Sequence, residues 1–283
     1  MKILVSGSTG LVGRSLISKL KETGHEVTGL SRSGFQKGVG YLTPLVNNAD
    51  VVVHLAGAPV VARWTPSYKK EIEDSRFITT TMLTEAIAKA TRKPRLLIST
   101  SAVGIYPDGE VFTEATARYG NDFLAKVCTE WEDCAMKAAS DTKVAIFRLG
   151  IVLSANGGAL KKMLLPFKTG LGGPIASGKQ GFSWIHIDDL VDAYLFVMEK
   201  QLDGIFNLTA PNPTDNATYT KALGKALKRP VFMPIPAFAL RLIFGEGATM
   251  LTGGQKVLPG RLLKEGFEFR FQDIEAALQD LTV

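Results

Sequence analysis

Three glycines at a spacing of three residues, directly after the first strand-like stretch, constrain the fold more than any other feature. Apolar residues at 3–5 lead into Gly7, Gly10 and Gly13, and an amphipathic segment with helical spacing covers 11–20. In such a turn the first glycine permits the tight bend, the second lets a pyrophosphate approach the backbone, and the third lets the helix pack on the sheet. An ordinary glycine turn is the alternative. Because strand, glycines and helix occur in the required order, the phosphates are expected at the helix N-terminus. The predicted contacts are Gly7, Ser8, Thr9, Gly10, Leu11, Val12 and Gly13.

Strand-like and helix-like stretches then alternate along the chain. The strand-like runs lie at 25–30, 50–55, 95–99, 143–149 and 204–208, and long helical patterns cover 67–90 and 121–139. This alternation predicts an α/β fold with a doubly wound parallel sheet, whose ligand lies outside the carboxyl ends of the strands. We expect a Rossmann domain over 1–155, to which a strand near 204–209 returns. A smaller, mostly helical lobe on the substrate side is expected over 156–283. Within it, Asp188 or Asp189 is expected to cap a helix that ends near Glu199.

The residues after the second strand indicate which dinucleotide would bind. An acidic residue there suits a free ribose 2′-hydroxyl, whereas an arginine suits a 2′-phosphate. Ser31, Arg32 and Ser33 offer no carboxylate, so the sequence predicts NADP(H) rather than NAD. A solvated surface arginine is the alternative. Further cofactor contacts are predicted at later strand ends, at Leu55, Ala56, Gly57, Ser99, Thr100 and Arg148, the last of which could instead position a loop.

Composition and charge narrow the class of protein. With 283 residues, 46% of them hydrophobic, the chain can bury a large core. The net charge of +6 is scattered along the sequence, so no nucleic-acid partner is expected. No apolar run reaches membrane-spanning length, so no membrane partner is expected either. Cys128 and Cys134, the two cysteines, lie six residues apart in one predicted helix, which suits neither a disulfide framework nor a metal site. A strand that begins at residue 2 leaves no room for a targeting segment, and we expect a cytoplasmic protein.

Several stretches together resemble a known family. They are the Gly7–Gly13 motif, the Thr100-Ser101 strand end and the run from Trp184 to Leu190. This combination is similar to extended short-chain dehydrogenases/reductases, which include nucleotide-sugar epimerases and dehydratases. More narrowly, the chain resembles their atypical "epimerase family" branch, whose members bind NADP and carry a small C-terminal domain of unknown function. The resemblance implies a small hydroxyl or carbonyl substrate, which could be nucleotide-linked. It also implies a homodimer formed through the helices at 67–90 and 121–139.

The sequence departs from that family at the catalytic residues. The usual tetrad is Asn, Ser, Tyr and Lys, in which the tyrosine moves the proton and the lysine lowers its pKa. Ser101 matches the serine, but Arg76 stands at the asparagine position. Leu124 and Cys128 stand at the tyrosine and lysine positions, and a shift of register by two residues does not restore the pair.

Other groups could supply the missing acid or base. Tyr106 or Tyr119 could swing a phenol into the site, Cys128 could be a thiolate if Arg76 lies beside it, and His186 could be a base. Each has a packing role as its alternative, and His54 is interpreted as a buried core histidine. The catalytic candidates are therefore Ser101, Tyr106, Cys128 and Arg76. Two functions remain open: an NADP(H)-dependent oxidoreductase or nucleotide-sugar epimerase-like enzyme, and a non-catalytic NADP(H)-binding sensor or scaffold.

Overall fold

The computed structural model describes residues 1–116 and 118–282. In chain order its strands are β1 (Lys2–Ser6), β2 (Glu26–Leu30), β3 (Val51–His54), β4 (Leu96–Ala102), β5 (Val111–Phe112), β6 (Lys143–Leu149), β7 (Ile151–Ser154), β8 (Gly181–Phe182), β9 (Trp184–His186), β10 (Gly204–Leu208), β11 (Thr214–Asp215) and β12 (Lys256–Val257). Its α-helices are α1 (Leu11–Glu22), α2 (Arg32–Phe35), α3 (Val39–Asn47), α4 (Pro66–Lys89), α5 (Phe123–Met136), α6 (Gly158–Lys168), α7 (Ile187–Lys200), α8 (Asn216–Leu227), α9 (Ala237–Phe244), α10 (Thr249–Thr252), α11 (Gly260–Lys264) and α12 (Ile274–Thr282).

Six strands form one sheet in the order β10-β6-β4-β3-β1-β2, and every pairing in it is parallel. From β1 the chain first adds β2 on one side and then crosses back to add β3 on the other. The order therefore reverses between β1 and β3, and ligands of open α/β sheets bind outside the carboxyl ends of the strands at such a point. The predicted doubly wound α/β fold is confirmed.

Helices cover both faces of the sheet because its strands are apolar on both sides. Ile3 and Val5 of β1 point to one face, where α1 and α7 complete the core. Leu4 points to the other face and packs with residues of α3, α4 and α5. A separate apolar cluster around Trp184 and Tyr219 joins α6, α8 and α12.

The second half of the chain is divided between sheet and lobe. β10 pairs with β6 as the returning strand that the sequence predicts, and α7 packs on the sheet rather than in the lobe. The region after 209 is mostly helical, as expected. The division at residue 155 remains a prediction. In the described chain α4 and α5 both pack against the Leu4 face of the sheet, and the homodimer through them also remains a prediction.

Local structure departs from the sequence-based expectations at two places. The cap of α7 is His186, whose Nδ1 accepts from the Asp188 N–H at 3.1 Å. The carboxylate of Asp189 is instead buried and accepts the N–H groups of Arg270 and Phe271. The segment 34–48, which holds neither of the long helical patterns predicted from the sequence, completes α2 and forms α3. It becomes helical because its apolar side chains pack into the Leu4 face of the sheet.

Among the described residues, no helix is long and apolar enough to cross a bilayer.

Candidate functional site

A groove with a volume of about 860 Å³ lies at the carboxyl ends of β1, β2 and β3. Its walls are the glycine turn, the residue after β2, the residues after β3, and one face of α4. The groove brings together seven of the predicted cofactor residues, Gly7, Thr9, Gly10, Arg32, Leu55, Ala56 and Gly57. From α4 it adds residues that the sequence analysis did not single out, among them Lys70, Glu71, Asp74 and Ser75.

The glycine turn is sterically required at two of its three positions. Gly7 has a φ of +68°, and a Cβ there would lie 2.8 Å from the carbonyl carbon of Leu55. A Cβ at Gly13 would lie 2.3 Å from the Gly7 oxygen, whereas one at Gly10 would come no closer than 3.3 Å. Among the described residues no side chain caps α1, which begins at Leu11, so its first N–H groups remain for a ligand.

Arg32 reaches across the groove to α4. Its guanidinium lies 3.1 Å from Glu71 Oε1, and the two side chains are 73% and 46% exposed. A pair so exposed contributes little to stability, so an anionic ligand can displace Glu71 at low cost. Lys70 pairs with Asp74 at 3.0 Å along the same wall. The groove therefore holds two cations whose carboxylate partners are weakly bound.

A buried hydrogen-bond network supports the groove from behind. His54 Nδ1 lies 2.6 Å from Ser6 Oγ, and Nε2 lies 2.9 Å from Thr80 Oγ1. The Ser6 hydroxyl also accepts the Leu55 N–H at 3.1 Å, which ties the ends of β1 and β3 together. Burial, helped by the charge of Arg76, lowers the pKa of His54 to about 3. His54 is therefore a neutral core histidine, as predicted.

The expected catalytic serine belongs to a second buried cluster. Ser101 donates to Glu132 Oε1 at 2.7 Å, and Arg148 binds the same carboxylate through two nitrogens at 2.8 and 2.7 Å. Arg148 is fully buried and does not line the groove, which favours the alternative role of positioning a loop, and its contact with the cofactor remains a prediction. Burial alone would lower the pKa of Arg148, but its hydrogen bonds and ion pair with Glu132 reverse the direction and raise it.

Tyr106 belongs to the same cluster. It is fully buried, accepts from Arg148 at 2.8 Å and donates to Asn207 Oδ1 at 3.0 Å. Burial raises the pKa of its phenol, although Arg148 opposes the shift. These contacts favour a packing role over a mobile phenol at Tyr106, because its hydroxyl would have to leave two partners. Tyr119 is 43% exposed and accepts from Arg148 at 3.1 Å.

Arg76 and Cys128 lie near each other, but not as an activated pair. The Arg76 guanidinium donates to the carbonyls of Ile72 and Ala58 at 3.0 and 3.1 Å and stacks 5.0 Å from the Trp131 ring. Burial raises the pKa of the Cys128 thiol to about 11, with Glu132 adding to the shift and Arg76 opposing it. The raised pKa argues against the thiolate that the sequence left open and favours its alternative, a packing role for Cys128 in a buried apolar cluster. Arg76 instead holds the segment that follows Gly57 in the groove wall.

The remaining predicted contacts lie beside or behind the groove. The hydroxyl of Ser99 is buried and has no hydrogen-bond partner among the described residues. Thr100 lies 3.1 Å from the Tyr194 hydroxyl of α7. Neither Ser99 nor Thr100 is among the residues that line the groove, and their contact with the cofactor remains a prediction. The groove wall likewise leaves out four residues of the glycine turn and β2 end that were expected to touch the cofactor, Ser8, Val12, Gly13 and Ser31. Leu11 was expected there too, but its side chain faces Gly157 and Gly158 at the start of α6.

A second cavity, of about 420 Å³, lies beside the contact between Leu11 and the start of α6. It is bounded by the segment 59–61, by α6 and by the loop at 172–175, and residues of α8 and of the C-terminal region complete it. No pattern in the sequence identifies this cavity, because its lining residues are scattered from Pro59 to Leu251.

Comparison with known proteins places these features in a family. The model of the NAD dependent epimerase/dehydratase family matches residues 3–209, and a domain of unknown function, DUF1731, matches 235–281. The chain is 40% identical over 301 residues to the Arabidopsis thaliana "Epimerase family protein SDR39U1 homolog, chloroplastic", covering 99% of this chain and 86% of that protein. It is 39% identical over 297 residues to the Mus musculus epimerase family protein SDR39U1, covering 99% of each.

Solved structures agree with the sequence comparison. The crystal structure of human epimerase family protein SDR39U1 (isoform 2) with NADPH has a TM-score of 0.92 and 34% identity, covering 100% of this chain and 99% of that chain. The nucleoside-diphosphate sugar epimerase of Corynebacterium glutamicum has a TM-score of 0.78 at 34% identity, covering 100% of this chain and 58% of that one. The resemblance predicted from the sequence is confirmed: the chain belongs to the NAD dependent epimerase/dehydratase family.

Proposed function

We propose that the protein binds NADP(H) in the groove at the ends of β1 to β3 and acts as an oxidoreductase or epimerase-like isomerase on a small hydroxyl or carbonyl compound. The observation that carries the proposal is the position of Arg32, which reaches into the groove from the end of β2 opposite an uncapped glycine turn. The human relative, 34% identical, is a complex with NADPH. Arg32 suits a 2′-phosphate because a guanidinium group can donate two parallel hydrogen bonds to phosphate oxygens.

Each part of the groove has a defined task toward such a ligand. The N–H groups at the start of α1 would bind the pyrophosphate, and Gly7 and Gly10 let it approach the backbone. Leu55, Ala56 and Gly57 would pack against the adenosine, and Arg32 would exchange Glu71 for the 2′-phosphate. Bound NADPH would supply a hydride to a carbonyl carbon and become NADP⁺, and a proton taken up from solvent would complete the alcohol.

The proton relay must differ from that of the related enzymes. Leu124 and Cys128 replace the tyrosine and the lysine, and the hydroxyl of Ser101 is committed to Glu132. The alternative, a non-catalytic NADP(H)-binding sensor or scaffold, rests on these observations. A sensor requires NADPH and NADP⁺ to bind with very different affinities, whereas an enzyme requires turnover. The substrate-sized cavity beside the groove favours the enzyme.

Titration of the purified protein with NADPH and with NADH, followed by nicotinamide fluorescence, tests the cofactor. Arg32→Ala should weaken NADPH about 10- to 100-fold, which is the value of a charged hydrogen bond, and leave NADH unchanged. Arg229→Ala, which removes an exposed arginine outside the groove, is the matched control and should change neither. An equal effect of Arg32→Ala on both nucleotides would overturn the assignment of Arg32 to the 2′-phosphate. The absence of NADPH binding to the unaltered protein would overturn the proposed function.

Glu71→Gln provides a second test in the opposite direction. The substitution removes the carboxylate that competes with the phosphate for Arg32, so NADPH should bind more tightly and NADH should not. A mere structural role for the Arg32–Glu71 pair would predict no gain in NADPH affinity.

A further inference from the structure

The second cavity adjoins the groove, and an inference about its occupant rests on the proposed function. Gly57 lines the groove, and Pro59, two residues further on, lines the cavity. On the other side, the start of α6 contacts Leu11 of the glycine turn, since a Cβ at Gly158 would lie 3.1 Å from that side chain. A molecule in the cavity would therefore lie next to a dinucleotide that occupies the groove.

The wall of the cavity is almost entirely apolar. Fourteen of its seventeen lining residues are apolar or glycine, among them Val60, Met163, Phe167 and Ile175. The three others are Lys162, Asn216 and Thr220. A wall of this kind stabilises a ligand by removing its apolar surface from water.

Two of the three polar side chains of the wall, Asn216 and Lys162, offer N–H donors, whereas the hydroxyl hydrogen of Thr220 is already used within the protein. The Thr220 hydroxyl donates to the Asn216 carbonyl at 2.6 Å, and the Asn216 Oδ1 accepts the Ile175 N–H at 2.7 Å. These bonds leave the NH₂ group of the buried Asn216 side chain, for which no acceptor is found among the described residues. Lys162 is exposed at the rim. An acceptor on the ligand would complement this wall.

We propose that the cavity binds a small apolar aldehyde or ketone, with its carbonyl oxygen accepting from Asn216 Nδ2. A nucleotide-linked sugar fits poorly, because its hydroxyls both donate and accept and its diphosphate needs several cations, whereas the wall holds one lysine. Leucines that adjoin the lining residues in the chain are also strongly exposed, Leu165 at 70% and Leu171 at 59%. Exposed leucines beside the cavity suit an apolar molecule that enters from outside.

The test measures binding of methyl ketones from 2-butanone to 2-octanone, and of UDP-glucose, to the full chain by calorimetry with and without saturating NADPH. Each added methylene should tighten ketone binding about fourfold until the cavity is filled, because burial of one CH₂ is worth about 0.8 kcal/mol. UDP-glucose should not bind at the same concentrations. Measurement without NADPH keeps the test valid if the cofactor proposal itself fails.

Two substitutions locate the ligand. Ala159→Phe should fill the cavity and abolish the chain-length dependence, while NADPH affinity stays unchanged. Asn216→Asp keeps the oxygen that accepts from Ile175 and places an acid at the first residue of α8, which the helix tolerates. It replaces the donor by a carboxylate and should weaken ketones at least tenfold. Its matched comparison is the hydrocarbon octane, whose binding should change little.

The outcomes separate the two proposals. The proposal of an apolar substrate would be overturned if UDP-glucose binds and ketone affinity does not change with chain length. Tight NADPH binding in the same experiment would leave the cofactor assignment valid. Ketone binding that Ala159→Phe does not affect would also overturn the proposal, because the ligand would then lie elsewhere. A chain-length dependence lost in Ala159→Phe supports it, with or without NADPH.

Discussion

Lowering the pH from 7 to 5 should destabilise the protein through His54. The Thr80 hydroxyl donates to the Arg76 carbonyl at 2.6 Å, so it accepts from His54 Nε2–H at 2.9 Å. The ring then carries its proton on Nε2, and Nδ1 accepts from Ser6 at 2.6 Å. A second proton on Nδ1 would force the Ser6 hydroxyl to turn its hydrogen away, and no other acceptor for it is found among the described residues.

The magnitude follows from the two pKa values of His54. Burial, together with Arg76, lowers the pKa from 6.5 to about 3 in the folded protein. Between these values the unfolded chain binds more protons, so the contribution to stability is complete above pH 6.5 and is lost progressively as the pH falls toward 3. Integrated from pH 7 to pH 5, His54 lowers the free energy of unfolding by about 2 kcal/mol.

Urea unfolding at several pH values measures this effect, with His54→Gln as the comparison. The variant loses ring contacts and is less stable at pH 7, but it has no group that titrates in this range. Its stability should therefore depend less on pH than that of the unaltered protein, by about 2 kcal/mol between pH 7 and 5. Equal pH dependence of the two proteins would refute the reasoning. So would a histidine ring titration near pH 6.5 assigned by NMR to His54.

Three further predictions concern the glycine turn and the buried clusters. Gly13→Ala should abolish NADPH binding and lower the melting temperature, because a Cβ there would lie 2.3 Å from the Gly7 oxygen. Gly10→Ala should reduce both only slightly, because its Cβ would lie 3.3 Å from the same oxygen. Glu132→Gln should lower the free energy of unfolding by about 3 to 5 kcal/mol, measured in urea, because it leaves a buried arginine unpaired. Cys128 should resist alkylation by iodoacetamide at pH 8 in the folded protein and should react in urea. Rapid labelling of Cys128 itself in the folded protein would contradict the raised pKa of its thiol.

The sheet and its groove could be predicted from the sequence because their signals are local. The apolar run over 3–5, the glycine spacing and the amphipathic helix that follows lie within about twenty residues and fix the first βα turn. The position of Arg32 after β2 then follows from the fold, since the carboxyl ends of parallel strands meet at one edge. The structure places Arg32 in the groove with Gly7 and Gly10.

The cluster around Ser101 could not be predicted in this way, because its members are far apart in the sequence. Ser101 and Glu132 are separated by 31 residues and Arg148 follows 16 later, so no spacing rule connects them. Their burial decides their role, and burial is a property of tertiary packing. The second cavity has the same origin, since its wall draws on residues from 59 to 251.

The identity of a residue at a family position therefore does not determine its task. A serine can polarise a substrate only while its hydroxyl is free, and the hydroxyl of Ser101 already donates to a carboxylate that Arg148 fixes through two hydrogen bonds. Freeing it would leave a buried charge with fewer partners, which is costly in a low-dielectric environment. The same interactions stabilise the neighbouring Tyr106 in its buried position. We therefore expect substrate chemistry between the glycine turn and the apolar cavity, where Leu11 contacts Gly158. We do not expect it at the buried cluster around Ser101.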